Sequence, residues 1–299
     1  RLPLVSWARD VYKRQGISLG SVYAIIALGY TMVYGIAKML NFAHGDVIMI
    51  GGYVLFSMIY GSGTNVFAAL IVAMVVCTVL GVVIEKVAYK PLREASSLAV
   101  LITAIGVSIL LQNIAQLIFT SQPKMFRNPI KLGSVKMFGA NIEGSTILMI
   151  VLGIIIVVAL SIFIRKTKTG RAMLAVSEDK DAAKLMGINV NTTITITFAI
   201  GSALAALASL LMFNAYPSLI PTSGSMPGIK AFVAAVFGGI GSIPGAMVGG
   251  IVLGIIEVLS GAYIPNGTKL ANAIVFVVLI VVLIFKPTGL FGKKIKEKV

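Results

Sequence analysis

The chain has 299 residues, 58% hydrophobic and 12% charged, with a formal net charge of +15. An average soluble domain carries roughly 25% charged residues, so a soluble globular protein is excluded. The apolar runs are continuous and not alternating, which argues against a β-barrel.

Several uncharged runs reach the length of about 18 residues that a transmembrane helix needs. The expected fold is therefore all-α: a polytopic transmembrane helical bundle of about eight membrane segments. Broken or re-entrant half-helices are expected near 41–60 and 231–259. The basic residues sit in the connections between runs, where the positive-inside bias accounts for them, so no nucleic-acid partner is expected. Residues 1–15, RLPLVSWARDVYKRQ, are basic and irregular. They are set aside as a non-native or disordered N-terminal segment, and no topology argument rests on them. A single transmembrane domain is expected over 16–292, followed by a basic cytoplasmic tail at 293–299.

The first span is Gly16–Ile36, with Gly16, Gly20 and Ser21 as small residues that permit close helix approach. Next comes a polar hexad, Asn41-Phe42-Ala43-His44-Gly45-Asp46, set against an apolar run from Val47 to Tyr60. That run is too short to cross a hydrocarbon core of roughly 30 Å as a helix. Either the hexad enters the membrane or the segment is re-entrant, and both need backbone that faces protein or water. Asn65–Ile84 and Leu98–Phe119 are clean spans joined by a charged connection, 85–97. The second carries Gln112, Asn113 and Gln116 near its far end, expected to face other helices. The lone Cys77 lies inside an apolar run and reads as a buried small hydrophobe that forms no intrachain disulfide.

Thr146–Ile164 spans again and leads into 165–193, a polar segment with six basic and three acidic residues. Between two membrane-length runs, it reads as a cytoplasmic loop. Its middle fits a short helix with Ser177 as N-cap, Glu178, Asp179 and Asp181 near its start, and Gly187 as its stop. Ala182, Leu185 and Met186 share one face of that helix, at spacings of three and four. Such a face can lie on lipid, pack on its own protein, or dock into another protein.

Ile194–Phe213 spans, and three prolines interrupt 214–230. The apolar run 231–259 is broken by Gly238-Gly239-Ile240-Gly241-Ser242-Ile243-Pro244-Gly245, expected as a bend between two half-helices at membrane depth. Glu257, inside the same run, is a second intramembrane ionisable residue beside those of the hexad. Leu270–Phe285 is the last span. The connections 85–97, 165–193 and 286–299 hold three, six and five Lys or Arg. Those at 61–64, 120–145, 214–230 and 260–269 hold none, four, one and one, so the first set is placed in the cytoplasm.

With one histidine, no His pair or triad can serve metal or nucleophilic chemistry. No G-x-x-x-x-G-K-[ST] occurs, so no P-loop is present. His44 reads either as a packing residue of the broken segment or, beside Asn41 and Asp46, as part of a translocation path. The glycine-proline run reads either as a close-packing bend or as path-lining half-helix ends, through Gly238, Gly239, Gly241, Ser242, Pro244 and Gly245.

Together GISLGSVYAIIALGYTMVYGI, LNFAHGDVIMIGGY, YKPLREASSLAVLITAIGVSILLQN, GRAMLAVSEDKDAAKLMGINVNTTI and FGGIGSIPGAMVGG resemble the permease subunits of branched-chain amino acid ABC importers, the LivH type. The resemblance runs in order through 16–292. It implies a multi-pass permease of the bacterial inner membrane that performs no covalent chemistry and binds no cofactor. Its implied partners are a second homologous permease subunit, two cytoplasmic ATPases that bind the ATP, and a periplasmic amino acid-binding protein, all around a lipid bilayer. Permeases of this type contact their ATPase through an E-A-A-x3-G core. Asp181-Ala182-Ala183-Lys184-Leu185-Met186-Gly187 fits it with Asp for Glu, without the closing proline of the longer pattern. The resemblance thus implies an ATPase-coupling helix over 177–188. Urea, short amides or another solute stay open as cargo. A membrane-embedded enzyme or a passive channel are the rival classes, and the first lacks a G-x-S-x-G partner for His44.

Overall fold

The computed structural model describes residues 2–127, 133–137, 140–239, 241–264 and 267–292. The tail at 293–299 lies outside these residues. The elements, in chain order, are α1 (Leu2–Ala37), α2 (His44–Phe56), α3 (Val66–Ile84), α4 (Ser97–Phe119), β1 (Lys124–Met125), β2 (Ser134–Met137), β3 (Ala140–Glu143), α5 (Gly144–Lys166), α6 (Lys168–Glu178), α7 (Lys180–Leu185), α8 (Val190–Ala215), β4 (Ser218–Leu219), α9 (Ser225–Gly238), α10 (Ile243–Tyr263) and α11 (Gly267–Phe285). Residues 2–15, set aside above, continue the first helix.

Six helices among the described residues are long and apolar enough to cross a membrane, at 15–37, 66–92, 97–119, 147–166, 190–215 and 243–263. α2, α9 and α11 are shorter apolar helices. The polytopic helical bundle is therefore as expected. Polar caps start several spans. Asn65 accepts from the Phe67 N–H at 3.0 Å, Ser96 from Ala99 at 3.3 Å and Asn189 from Thr192 at 3.0 Å.

Burial separates an inner pair from an outer ring. The spans in α1 and α8 are 89% and 72% buried, whereas those in α3, α4 and α5 are 28%, 22% and 17% buried. The outer three turn rows of Val, Ile and Leu outward, as a lipid-facing surface requires. α1 and α10 run antiparallel, backbone against backbone. Gly16 meets Ile255, Gly20 meets Ile251, and Gly250 meets Ala24. A Cβ on Gly20 would stand 2.6 Å from the Ile251 carbonyl oxygen, so only glycine permits this approach.

The contacts fix which ends share a side. Lys180 Nζ donates to the Ala37 carbonyl at the end of α1 (3.0 Å). The N–H groups of Leu290 and Phe291 donate to Phe237 and Gly238 at the end of α9, both at 2.9 Å. The ends of α1 and α9, the start of α10, α7 and residues 286–292 therefore lie on one side, the basic one that the charge count assigns to the cytoplasm. On the opposite side β1 pairs antiparallel with β4, Lys124 facing Leu219 and Met125 facing Ser218. The Arg127 N–H donates to Tyr60 Oη at 2.6 Å there.

Two expectations are corrected by this layout. The break at 238–245 falls at the cytoplasmic surface and not at membrane depth. The element after it is a 21-residue helix that crosses fully, so of the two elements flanking the break α9, with 14 residues, is a half-helix and α10 is not. The cause is tertiary: Gly239 is held against residues 291–292, and Gly241 against Gly35 at the end of α1. For 41–60 the first alternative holds: the polar hexad enters the bundle, and the segment passes from Ala37 on the basic side to Tyr60 on the opposite side. The chain leaves α1 with Lys38 in the left-handed region (φ 57°), turns back, and starts a 13-residue helix inside the bundle.

Candidate functional site

On the basic side of the bundle, α6 and α7 form a small protrusion. α6 is capped by Thr167, whose Oγ1 accepts from the Gly170 N–H at 2.9 Å. Ser177 and Glu178 belong to its last turn, and Ser177 Oγ donates back to the Leu174 carbonyl at 2.7 Å. Ser177 is therefore not the cap of the next helix. Asp179 is: its Oδ1 accepts from the N–H groups of Asp181 (2.9 Å) and Ala182 (3.0 Å). Ser177 still has helical backbone within α6, and the chain first turns extended at Asp179 (φ −154°, ψ 116°), so the acidic residue takes the cap position.

α7 ends at Gly187, where φ is +80°. The Ile188 N–H reaches Ala183 O at 3.0 Å and the Gly187 N–H reaches Lys184 O at 2.9 Å. That bond pair is a Schellman stop, and the positive φ suits glycine. Ala183 points inward and is buried, while Ala182 is exposed. Leu185 is 90% exposed and Met186 82%. Two large apolar side chains are thus held in the aqueous phase on the face shared with Ala182. The protrusion is tethered at its base by Lys180, whose ammonium donates to the Ala37 carbonyl at the end of α1. Burial there, and then the neighbouring Arg93 and Lys38 charges, hold the Lys180 ammonium below the usual lysine range against the opposing Asp181.

Beside this protrusion a buried ion pair joins the cytoplasmic ends of α3 and α8. Glu85 is fully buried, is paired with Arg93, and accepts from Thr195 Oγ1 at 2.7 Å. Arg93 also donates to Asn191. Sequence reasoning missed this cluster; the signal was a carboxylate placed directly at the end of an apolar run.

The second region lies midway through the bundle, where the N-terminal ends of α2 and α9 abut. A Cβ on Gly228 would stand 2.9 Å from Gly45 Cα, so the two backbones touch. Of the hexad, Asn41, His44 and Asp46 are all buried here. Asn41 Oδ1 accepts from Tyr89 Oη at 3.0 Å. Gln112 Nε2, from α4, faces Asp46 Oδ1 and Ser225 Oγ at 3.0 Å each, and Ser108 Oγ at 3.1 Å. Among the described residues, the second oxygen of Asp46 and Nε2 of His44 have no hydrogen-bond partner. The His44 ring fills space opened by Gly29, where a Cβ would lie 2.8 Å from Nε2. Helix N-termini concentrate positive dipole ends, so a carboxylate at this junction is electrostatically matched.

The structure brings Asn41, His44 and Asp46 together but does not bring Gly238, Gly239, Gly241, Ser242, Pro244 and Gly245 to them. Those six form the cytoplasmic turn, in which Ser242 caps α10 by accepting from the Gly245 N–H at 3.1 Å. Gln112 faces other helices as expected. Asn113 returns its amide to Ile109 O at 2.7 Å on its own helix, and Gln116 is exposed. Ser108 and Ser225 were missed, because nothing local marks a serine that a distant helix will meet. Among the described residues no group of three or more His, Cys, Asp or Glu is placed to hold a metal ion.

Comparison with known proteins gives a consistent result. The family described as branched-chain amino acid transport system / permease component matches residues 14–283. The high-affinity branched-chain amino acid transport system permease protein LivH of Escherichia coli (strain K12) is 45% identical over 95% of this chain and 96% of that protein. The corresponding permease protein BraD of Pseudomonas aeruginosa is 43% identical over the same shares. More distantly, the ribose import permease protein RbsC of Haemophilus influenzae is 28% identical over 79% of this chain and 73% of that protein.

Proposed function

The chain belongs to the family of branched-chain amino acid transport permease components, and on that premise we propose that it forms half of an ATP-driven route for these amino acids. It is an inner-membrane permease and not an enzyme. A second, homologous permease subunit supplies the other half of the route. Two cytoplasmic ATPases bind and hydrolyse the ATP, and a periplasmic binding protein delivers the solute.

The observation that carries this reading is the α7 face. Leu185 and Met186 are almost wholly exposed on a cytoplasmic helix that is capped at both ends and tied to α1. Soluble surfaces seldom expose neighbouring large apolar groups without a partner. Docking of an ATPase over Ala182, Leu185 and Met186 buries them and moves a protrusion anchored to the end of α1. α1 packs along α10, and α2 and α9 abut beneath it, so a push at α7 reaches the junction of half-helices at Asn41, His44 and Asp46. That junction is the central constriction of the proposed path, and the turn 238–245 is its cytoplasmic mouth. Two abutting half-helix ends are a bistable element of the kind an external motor can bias.

Uptake of labelled leucine into proteoliposomes holding the complete importer tests the reading. ATP-dependent uptake is expected. Flux of leucine through the chain without ATPases makes it a channel instead. Likeness to a ribose permease leaves room for other solutes, and transport of urea or a short amide in preference to leucine replaces the cargo while keeping the machine.

A further inference from the structure

A third polar cluster lies in the outer half of the bundle, between α1, α9 and α10. Lys230, counted above among loop residues, is in α9 and is only 6% exposed. Its Nζ is 2.6 Å from Glu257 Oε1 of α10 and 3.1 Å from Tyr23 Oη of α1. Tyr23 Oη donates to the other Glu257 oxygen at 3.0 Å, and Nζ also lies over the Tyr23 ring, 5.4 Å from its centroid. These three side chains line a cleft of about 190 Å³ whose remaining wall includes Leu19, Val22, Met212 and Met226. The Tyr216 side chain, next to the end of α8, also borders it, which sets the cleft toward the outer side.

We propose that this cleft is a binding site for a zwitterionic aliphatic amino acid on its way through the bundle, with Glu257 taking the α-ammonium and Lys230 the α-carboxylate. The inference rests on the reading that the chain carries an amino acid. The pair carries no net charge, and neither does the ligand. Entry of a zwitterion exchanges one internal ion pair for two, so no charge is left uncompensated in a region of low dielectric. The aliphatic side chain then lies along Leu19, Val22, Met212 and Met226. A sugar or a neutral amide offers no such exchange, and an amine without a carboxylate leaves Lys230 unpaired. Because Lys230 belongs to the half-helix α9, drawing it from Glu257 to the ligand also loosens α9 from α10.

The test uses the complete importer in proteoliposomes, with Lys230→Met, Glu257→Gln and the exchanged pair Lys230→Glu/Glu257→Lys. Each single variant is expected to cut leucine uptake more than about tenfold, while ATP hydrolysis stimulated by the loaded binding protein persists. The exchanged pair is expected to restore the melting temperature but not uptake. Saturating leucine is expected to raise the melting temperature of the wild-type permease, whereas 3-methylbutylamine, which lacks the carboxylate, is not. The proposal is overturned by wild-type uptake in the single variants, by an exchanged pair that restores uptake with stability, or by equal protection from leucine and the amine. Absence of leucine uptake by the wild-type importer overturns the reading beneath it instead.

Discussion

Replacing Leu185 and Met186 together by serine separates docking from folding. Both side chains are already in water, at 90% and 82% exposure, so the isolated permease loses almost no buried contact. Substitutions at such positions usually change stability by no more than about 0.5 kcal/mol. If an ATPase covers both, burying each contributes about 1.5–3 kcal/mol, or about 3–6 kcal/mol for the pair. At about 1.4 kcal/mol per decade, affinity for the ATPase then falls roughly 10²- to 10⁴-fold. The assay has two arms: thermal unfolding of the purified permease, and titration of the ATPase onto permease in nanodiscs. An unchanged melting temperature with strongly weakened binding is the expected pair of results. Unchanged binding refutes the reasoning, and so does a permease destabilised on its own, because the face would then be covered by this chain.

Gly254→Ala places a Cβ on the backbone N and Cα of Gly20, which cannot rotate away, so α1 and α10 must separate. A cost of at least about 1–3 kcal/mol is expected from overpacking, read as a lower melting temperature of the purified chain. Glu85→Ala leaves Arg93 without its carboxylate partner and is expected to cost about 3–5 kcal/mol, whereas Glu85→Leu with Arg93→Met costs much less. A double-mutant cycle by chemical unfolding measures the difference, and equal costs for the two would remove the pair from the account.

Helices and their breaks were legible where the signal is local. Apolar runs of membrane length, the glycine stop of α7 and the entry of the polar hexad into the bundle before His44 all follow from residues within one or two turns. The face of Ala182, Leu185 and Met186 was legible too, because helical spacing alone puts those three together. Depth was not. The run 238–245 reads as a bend from its glycines and proline, but its position at the cytoplasmic surface depends on Gly35 and Phe291, which no local pattern connects to it. Ser177 and Asp179 are both good caps by residue type. Asp179 wins because α6, unrecognised in the sequence, runs through Ser177 to Glu178, so the backbone first becomes extended at Asp179. Lys230 was assigned to a loop because three prolines surround its segment, although Pro227 sits in the first turn of α9, where a missing N–H costs nothing. Its partner Glu257 was visible as an anomaly in an apolar run, but an ion pair 27 residues apart across two helices is a tertiary fact.

The claim beneath all of this is that α7 faces the cytoplasm and is gripped there. Met186→Cys offers a direct measurement, since the native Cys77 is fully buried and does not compete for reagent. A membrane-impermeant maleimide is predicted to label this thiol in inside-out vesicles and not in intact cells, and bound ATPase is predicted to protect it. Labelling in intact cells, or labelling in inside-out vesicles that the ATPase leaves unaffected, would contradict the account.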